Sequence, residues 1–284
     1  MKALIASAHA ELLRLRRWPA LWVTLGAFLV LNISFVYVFN YLSYRSGASS
    51  FSTEGIPPEQ LLAEIMPDAV PTALIQGMPM FGGALMLTLG ALAAGSGYGW
   101  GTWKTVFTQG PGRLTATGGT LVALLGIVVA LVAATFVVDL GIASALATAE
   151  SRTIVWPAVD DVARAFGGGV LIFAMWMLAG VAVGTLARGP ALAVGLGLVW
   201  VLAVENLLRG VGGLLDWLQP ITDVLPGTVA GSVAAAVGAT PVSEGGTPGV
   251  VSTLAGGTAV AVALAYIVAF AVTTGLLVRR RDVA

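Results

Sequence analysis

An uncharged run occupies residues 114–138 and reads LTATGGTLVALLGIVVALVAATFVV. It is longer than the stretch of about 20 apolar residues that a helix needs to cross the hydrocarbon core of a bilayer. Its apolar residues do not alternate with polar ones, as they do in the strands of a membrane β-barrel. The run therefore predicts a transmembrane helix.

Five further uncharged runs share this character. They lie at residues 18–44, 69–103, 165–187, 189–204 and 245–278. The run 189–204 is short for a span, and we extend the predicted span past Glu205 to about residue 208. A backbone that crosses lipid must satisfy its hydrogen bonds internally, which a helix does. The sequence thus predicts one all-α, polytopic transmembrane domain over residues 1–284, with six spans at about 20–43, 71–97, 115–140, 166–187, 189–208 and 254–278.

The composition points to the same class. The 284 residues are 57% hydrophobic and 10% charged, with a mean hydropathy of +0.93, whereas soluble domains carry about 25% charged residues. This excludes a soluble enzyme, a nucleic-acid-binding protein and a disordered chain. The absence of Cys and the single His9 also exclude disulfides, thiolate metal sites and a histidine metal cluster.

The charged residues are distributed unequally between the two sides of the predicted bundle. Basic residues are enriched in cytoplasmic loops, and ten of the 14 fall on the side of both termini: Lys2, Arg14, Arg16, Arg17, Lys104, Arg113, Arg188, Arg279, Arg280 and Arg281. Ten of the 14 acids fall on the opposite side: Glu54, Glu59, Glu64, Asp68, Glu150, Asp160, Asp161, Asp216, Asp223 and Glu244. We therefore expect both termini in the cytoplasm.

Three segments differ from plain spans and loops. Residues 2–17 predict a basic amphipathic helix in the membrane interface, bearing Arg14, Arg16 and Arg17, or else an ordinary positively charged flank. The second span contains several glycines and Pro79, which indicate either a kink used in gating or close helix packing. Residues 209–244 predict an external segment whose run 229–237 is too short to span and is re-entrant or interfacial.

Two acids, Asp139 and Glu205, interrupt or follow apolar runs and are intramembrane candidates for function. Both are expected toward the outer ends of their helices, close to water. The sequence leaves two interpretations open for them, which are ordinary interfacial placement and a proton or cation relay.

The loop at residues 97–113 reads GYGWGTWKTVFTQGPGR. Residues 102–109 predict about two helical turns with Trp103, Val106 and Phe107 on one face, able to lie among lipid headgroups or to contact a partner protein. The sequence has no G-x-x-x-x-G-K-[ST] phosphate loop, and it has neither an H-E-x-x-H nor a G-x-S-x-G motif.

Within this loop, Gly101-Thr102-Trp103-Lys104 and the later Pro111-Gly112-Arg113 resemble the cytoplasmic loop of type-2 ATP-binding-cassette (ABC) transporter permeases. The order of an amphipathic helix, six spans and an external segment before the last span is also similar. The chain departs from that family at Gly97, where an acidic residue is common, and at Thr117-Gly118-Gly119, where a basic residue is common.

The resemblance implies a permease subunit without enzymatic activity of its own. Residues 102–109 become a coupling helix that docks on a separate ATPase subunit, which binds ATP and Mg, with Trp103 and Phe107 as apolar anchors. A second copy or a related permease would complete an exporter in the bacterial cell membrane, in contact with lipid and with no nucleic acid as partner. Methionines and aromatics in the spans suit a hydrophobic or amphipathic substrate such as a drug, lipid or peptide.

Two other classes stay open at this point. One is a proton-coupled secondary transporter, which requires an ionisable group near the bilayer midplane. The other is a membrane immunity or sensor protein that transports nothing.

Overall fold

A computed structural model describes residues 2–47, 56–215 and 217–280, with Gln109 described by its backbone alone. Three residues of the charge distribution, Glu54, Asp216 and Arg281, lie outside the described residues. Within the described ranges the chain is helical and contains no strand. The prediction of an all-helical protein is therefore confirmed.

Six helices of the described chain are long and apolar enough to cross a membrane, as the sequence predicts. They are α2 (Pro19–Ser46), α5 (Met78–Gly99), α7 (Arg113–Ala149), α8 (Val159–Ala187), α9 (Pro190–Gly212) and α12 (Gly256–Arg280). The remaining helices are α1 (Lys2–Arg16), α3 (Pro58–Ala63), α4 (Val70–Gln76), α6 (Thr102–Gln109), α10 (Gln219–Asp223) and α11 (Pro226–Val237).

The helix bounds differ most from the sequence prediction in α7. Its 37 residues span about 55 Å at 1.5 Å per residue, which exceeds the hydrocarbon thickness of about 30 Å. Asp139 ends the uncharged run, yet the helix continues for ten more residues to Ala149. The helix continues because the Asp139 side chain is fully buried against a neighbouring helix and has no need to reach water.

The bundle has two ends that differ in their short helices. The end that we call the terminal side carries α1 and α6, and α1 packs along the first turns of α7. There a Cβ on Gly119 would overlap Ser7, and one on Gly118 would lie 3.0 Å from a Leu4 methyl group. The two glycines that depart from the permease pattern therefore allow α1 to approach α7 closely. The opposite end, the loop side, carries α3, α10 and α11.

The centre of the bundle is the contact between α5 and α8, which approach through small residues. A Cβ on Gly180 would overlap the Leu87 carbonyl oxygen, and one on Gly184 would lie 2.7 Å from the Ala91 carbonyl oxygen. Small residues at such crossings let two backbones meet without intervening side chains. Trp176 of α8 is almost fully buried. Its Nε1–H donates to the carbonyl of Pro79, in the first turn of α5, at 3.0 Å.

Three of the long helices contain a π-helical turn, at Ile33–Val38 in α2, at Met78–Gly82 in α5 and at Trp200–Val204 in α9. The glycine- and proline-rich second span is thereby divided, with α4 ending before Gly77 and α5 beginning with its π-turn. π-Turns leave some backbone groups without their usual partners and are frequent at functional sites. The residues around the three π-turns are therefore candidates for a functional site.

The helix α11 is too short to span a membrane and packs against α4, α8 and α12. Its residues from Pro226 to Ala234 are buried. The short apolar run of the external segment thus packs into the loop side of the bundle, whereas Leu214, Trp217 and Ile221 of the same segment are exposed.

Candidate functional site

The helix α6 lies at the terminal side and is set off from α5 by a sharp turn. Gly101 precedes it with a φ of +67°, in the left-handed region that glycine adopts without steric cost. The turn reverses the chain between the end of α5 at Gly99 and the start of α6 at Thr102. The sequence predicts a short helix over these same residues.

The aromatic residues of α6 fold back onto their own chain. The Trp103 indole donates its Nε1–H to the Ala94 carbonyl at 3.0 Å, and its ring stacks on Phe107 at 5.2 Å between centroids. The Arg113 guanidinium lies 5.8 Å from the Phe107 ring centre, a cation–π distance. These contacts fix α6 to the ends of α5 and α7.

The expectation that Trp103 and Phe107 anchor a partner stays a prediction, but in the structure the two rings contact their own chain. The physical reason is Gly97, because a Cβ there would come within 2.6 Å of the Trp103 ring. The missing side chain leaves the space that the indole fills. Both aromatics are consequently half-buried within the chain.

The face that α6 presents to the surroundings is polar instead. Its exposed residues are Thr102, Lys104, Thr105 and Thr108, and Pro111 of the same loop is also exposed. Next to them, Trp100 is 69% exposed. No feature of the sequence marks Trp100, since its exposure depends on how the turn at Gly101 is formed.

The helix α1 carries the three basic residues of the predicted interfacial helix. Arg14 donates from Nε to Glu11 at 2.9 Å and lies 5.8 Å from the Trp18 ring, whereas Arg16 and Arg17 are exposed. Among the apolar residues, Leu15 is fully buried while Ile5 and Leu12 are exposed. The helix thus keeps apolar residues directed away from the bundle.

The two acids in the long helices are buried, contrary to the expectation of carboxyls close to water. Asp139 has none of its surface exposed and Glu205 has 1% exposed. Asn32 of α2 donates its Nδ2–H to Asp139 Oδ1 at 2.8 Å. The sequence could not reveal this partner, because Asn32 and Asp139 are 107 residues apart.

Glu205 directly follows the π-turn of α9 and holds the start of α11. Its Oε1 accepts hydrogen bonds from the backbone N–H groups of Gly227 and Thr228, the latter at 3.1 Å. The first N–H groups of a helix lack partners within the helix, and a carboxylate also interacts favourably with the positive end of the helix dipole. Glu205 therefore caps α11 from another helix.

A cavity of about 500 Å³ opens between α2, α3, α5 and the residues that precede α12. The π-turns of α2 and α5 both contribute to its wall, through Phe35, Val36, Phe81 and Gly82. Its polar lining includes Asn32, Asn40, Gln60, Glu64, Gln76 and Glu244. Asn32 thus contacts both the cavity and the Asp139 side chain.

The chain matches no known protein-family model, and no curated protein is detectably similar to it.

Proposed function

We propose that this protein is the transmembrane permease subunit of an ATP-driven exporter, similar in design to type-2 ABC permeases. It would work with a separate ATPase subunit that binds ATP and Mg, and its termini would face the cytoplasm of a bacterial cell. The six membrane-length helices and the lack of a phosphate loop in the sequence support a division of labour between two subunits.

The observation that carries the proposal is the way in which α6 is mounted. The stacked Trp103 and Phe107 attach the helix firmly to the ends of α5 and α7. A helix fixed in this way moves with the bundle, as a coupling element must when it transmits a rigid-body transition. The docking surface is then the exposed polar face with Thr102, Lys104 and Thr105, and the aromatics act as its support.

The apolar outer faces of the bundle support a second permease copy or a related chain as a further partner. Few side chains of α9 and α12 are buried within the bundle, and lipid or another permease would cover the others. The cavity, with Phe28, Phe35 and Phe81 in its wall, suits a hydrophobic or amphipathic substrate, since apolar pockets with a few polar groups are typical of small-molecule sites.

The proposal is tested by purifying the tagged chain from its native membranes in mild detergent and measuring ATP hydrolysis. We expect hydrolysis to co-purify with the wild-type chain and to fall at least tenfold in Thr105→Arg, since a bulky cation would disturb the docking face. The matched control is Thr153→Arg, at an exposed site on the loop side, which retains both ATPase activity and thermal stability.

Hydrolysis that is absent from the wild-type preparation, or unaffected by Thr105→Arg, would refute the proposal. Transport that requires a proton gradient and no ATP would identify the alternative, a proton-coupled secondary transporter. The observation that favours this alternative is the burial of Asp139 beside the cavity wall. A protein with neither activity would belong to the immunity or sensor class.

A further inference from the structure

Two polar atoms at the contact between α2 and α7 lack partners within the described part of the chain. They are Oδ1 of Asn32 and Oδ2 of Asp139, and both are fully buried. Each belongs to a side chain whose other polar atom is already used in the single hydrogen bond from Asn32 Nδ2 to Asp139 Oδ1. Buried polar atoms are rarely left unpaired, so this pair requires an explanation.

The chemistry of the two groups supplies one. An ionised carboxylate only accepts hydrogen bonds, so its Oδ2 and the amide Oδ1 would both be acceptors without a donor. The nearby Tyr37 hydroxyl does not supply one, because it is buried and itself lacks a hydrogen-bond partner among the described residues. A protonated carboxyl has one O–H donor and one acceptor oxygen, while an amide has an N–H donor and a C=O acceptor. With one proton on Asp139 Oδ2, both unpaired atoms can be satisfied together, and the side chains form a cyclic two-hydrogen-bond pair.

The surroundings of Asp139 do not compensate a negative charge. Asp139 forms no ion pair among the residues described, and the phenol of the nearby Tyr37 carries no positive charge that could balance a carboxylate. Of the elements packed against α7, α1, α6 and α12 carry their charged residues at the terminal side. The remaining charged residues are Arg45 of α2, Asp68 from the chain before α4, and Asp160, Asp161 and Arg164 of α8. All five are exposed, and Arg45 and Arg164 pair with Glu150 and Asp161. An isolated buried carboxylate is costly enough that such groups take up a proton instead.

Glu205 provides an internal comparison. It is buried to the same degree, yet its oxygen accepts from two backbone N–H donors at the start of a helix. Hydrogen bonds to the charged form and the positive end of a helix both favour the carboxylate. The two buried acids thus have opposite environments, one arranged for an anion and the other for a neutral acid.

The pair also borders the cavity through Asn32. Asn32 forms part of the cavity wall, and it directly precedes the π-turn Ile33–Val38 of α2. A proton can therefore reach the pair from the cavity without crossing the core of the bundle.

We propose that Asn32 and Asp139 form a proton-binding site between α2 and α7, in which Asp139 Oδ2–H donates to Asn32 Oδ1 while Asn32 Nδ2–H donates to Asp139 Oδ1. The site binds a proton taken from the cavity and holds Asp139 as a neutral acid at neutral pH. It does not depend on an ATPase partner, so it stands or falls separately from the proposed function.

The test is infrared spectroscopy of the purified protein at neutral pH in H₂O and D₂O. We expect one carboxylic-acid C=O band that shifts on deuteration and disappears in Asp139→Asn. The matched control is Glu205→Gln, which removes the other buried acid and leaves the band in place. Thermal unfolding of Asp139→Asn adds an independent readout, because a second amide reproduces both hydrogen bonds of the neutral pair and should preserve the melting temperature.

Three results would overturn the proposal. One is a wild-type protein without the band, and another is a band that persists in Asp139→Asn or vanishes in Glu205→Gln. The third is a sodium-dependent stabilisation that Asp139→Asn abolishes, because it would indicate that the two unpaired oxygens hold a cation. If Asp139→Asn failed to fold, the band in Asn32→Leu would decide, since removal of the amide should shift its frequency while the acid remains.

Discussion

Replacement of Glu205 by alanine should release α11 from the bundle. In the folded protein one Glu205 oxygen accepts from two buried backbone N–H groups, those of Gly227 and Thr228. Each buried donor left without a partner costs about 1–3 kcal/mol, so the two donors together should make Glu205→Ala destabilise the protein by about 2–6 kcal/mol. Glu205→Gln keeps an oxygen acceptor and loses only the charge, and we expect a cost of about 1–2 kcal/mol.

The assay can be made specific to α11 because the chain contains no cysteine. Ser232 lies in α11 and is 1% exposed, so Ser232→Cys introduces one buried thiol with little change in shape. We expect this thiol to react slowly in the otherwise unchanged protein, faster with Glu205→Gln and fastest with Glu205→Ala. Thermal unfolding in detergent should rank the three proteins in the same order of stability.

Equal labelling rates and equal melting temperatures for all three proteins would refute the reasoning. They would mean that α11 is held by its apolar contacts alone. A fall in melting temperature without faster labelling would also contradict it, because the loss of stability would then arise away from α11.

Three further predictions concern the packing of the bundle. Gly180→Ala should lower the melting temperature sharply, because its Cβ would overlap a backbone carbonyl of α5. The control is Gly126→Ala, whose Cβ would meet no atom, and we expect it to be neutral or stabilising by up to about 1 kcal/mol. Trp176→Phe should cost about 0.5–1.5 kcal/mol in thermal or denaturant unfolding, because it removes the hydrogen bond from the indole to the Pro79 carbonyl. Trp103→Ala should speed hydrogen exchange of the backbone over residues 102–109 without changing exchange in the six long helices. If exchange over residues 102–109 stayed unchanged, the indole would not hold α6.

The six long helices could be predicted from the sequence because their signal is local. A run of about 20 apolar residues without charge has few alternatives to a membrane helix. The same logic fails at the ends of helices, where Asp139 interrupts the uncharged run of α7 without ending the helix. Burial against Asn32 removes the need for that carboxyl to reach water.

The candidate sites depend on contacts between distant residues and could be predicted only in part. Asp139 and Glu205 stand out in the sequence as acids in apolar segments, yet Asn32 and the start of α11 carry no signal that marks them as partners. Trp103 was predictable as a member of the short helix, but its direction follows from the space above Gly97. A glycine in a glycine-rich loop gives no indication of which ring will cover it.

The proposal that α6 docks on an ATPase is tested most directly by cross-linking from its exposed face. Thr105→Cys places the only thiol of the protein on that face, and Thr153→Cys places it at the opposite end as a control. In native membranes treated with a short thiol-to-amine cross-linker, we expect Thr105→Cys to give an adduct with a protein that bears a phosphate loop, and Thr153→Cys to give none. If the Thr105→Cys thiol reacts with the reagent but yields no ATP-binding adduct, or yields only the adduct seen with the control, α6 is not the contact with an ATPase.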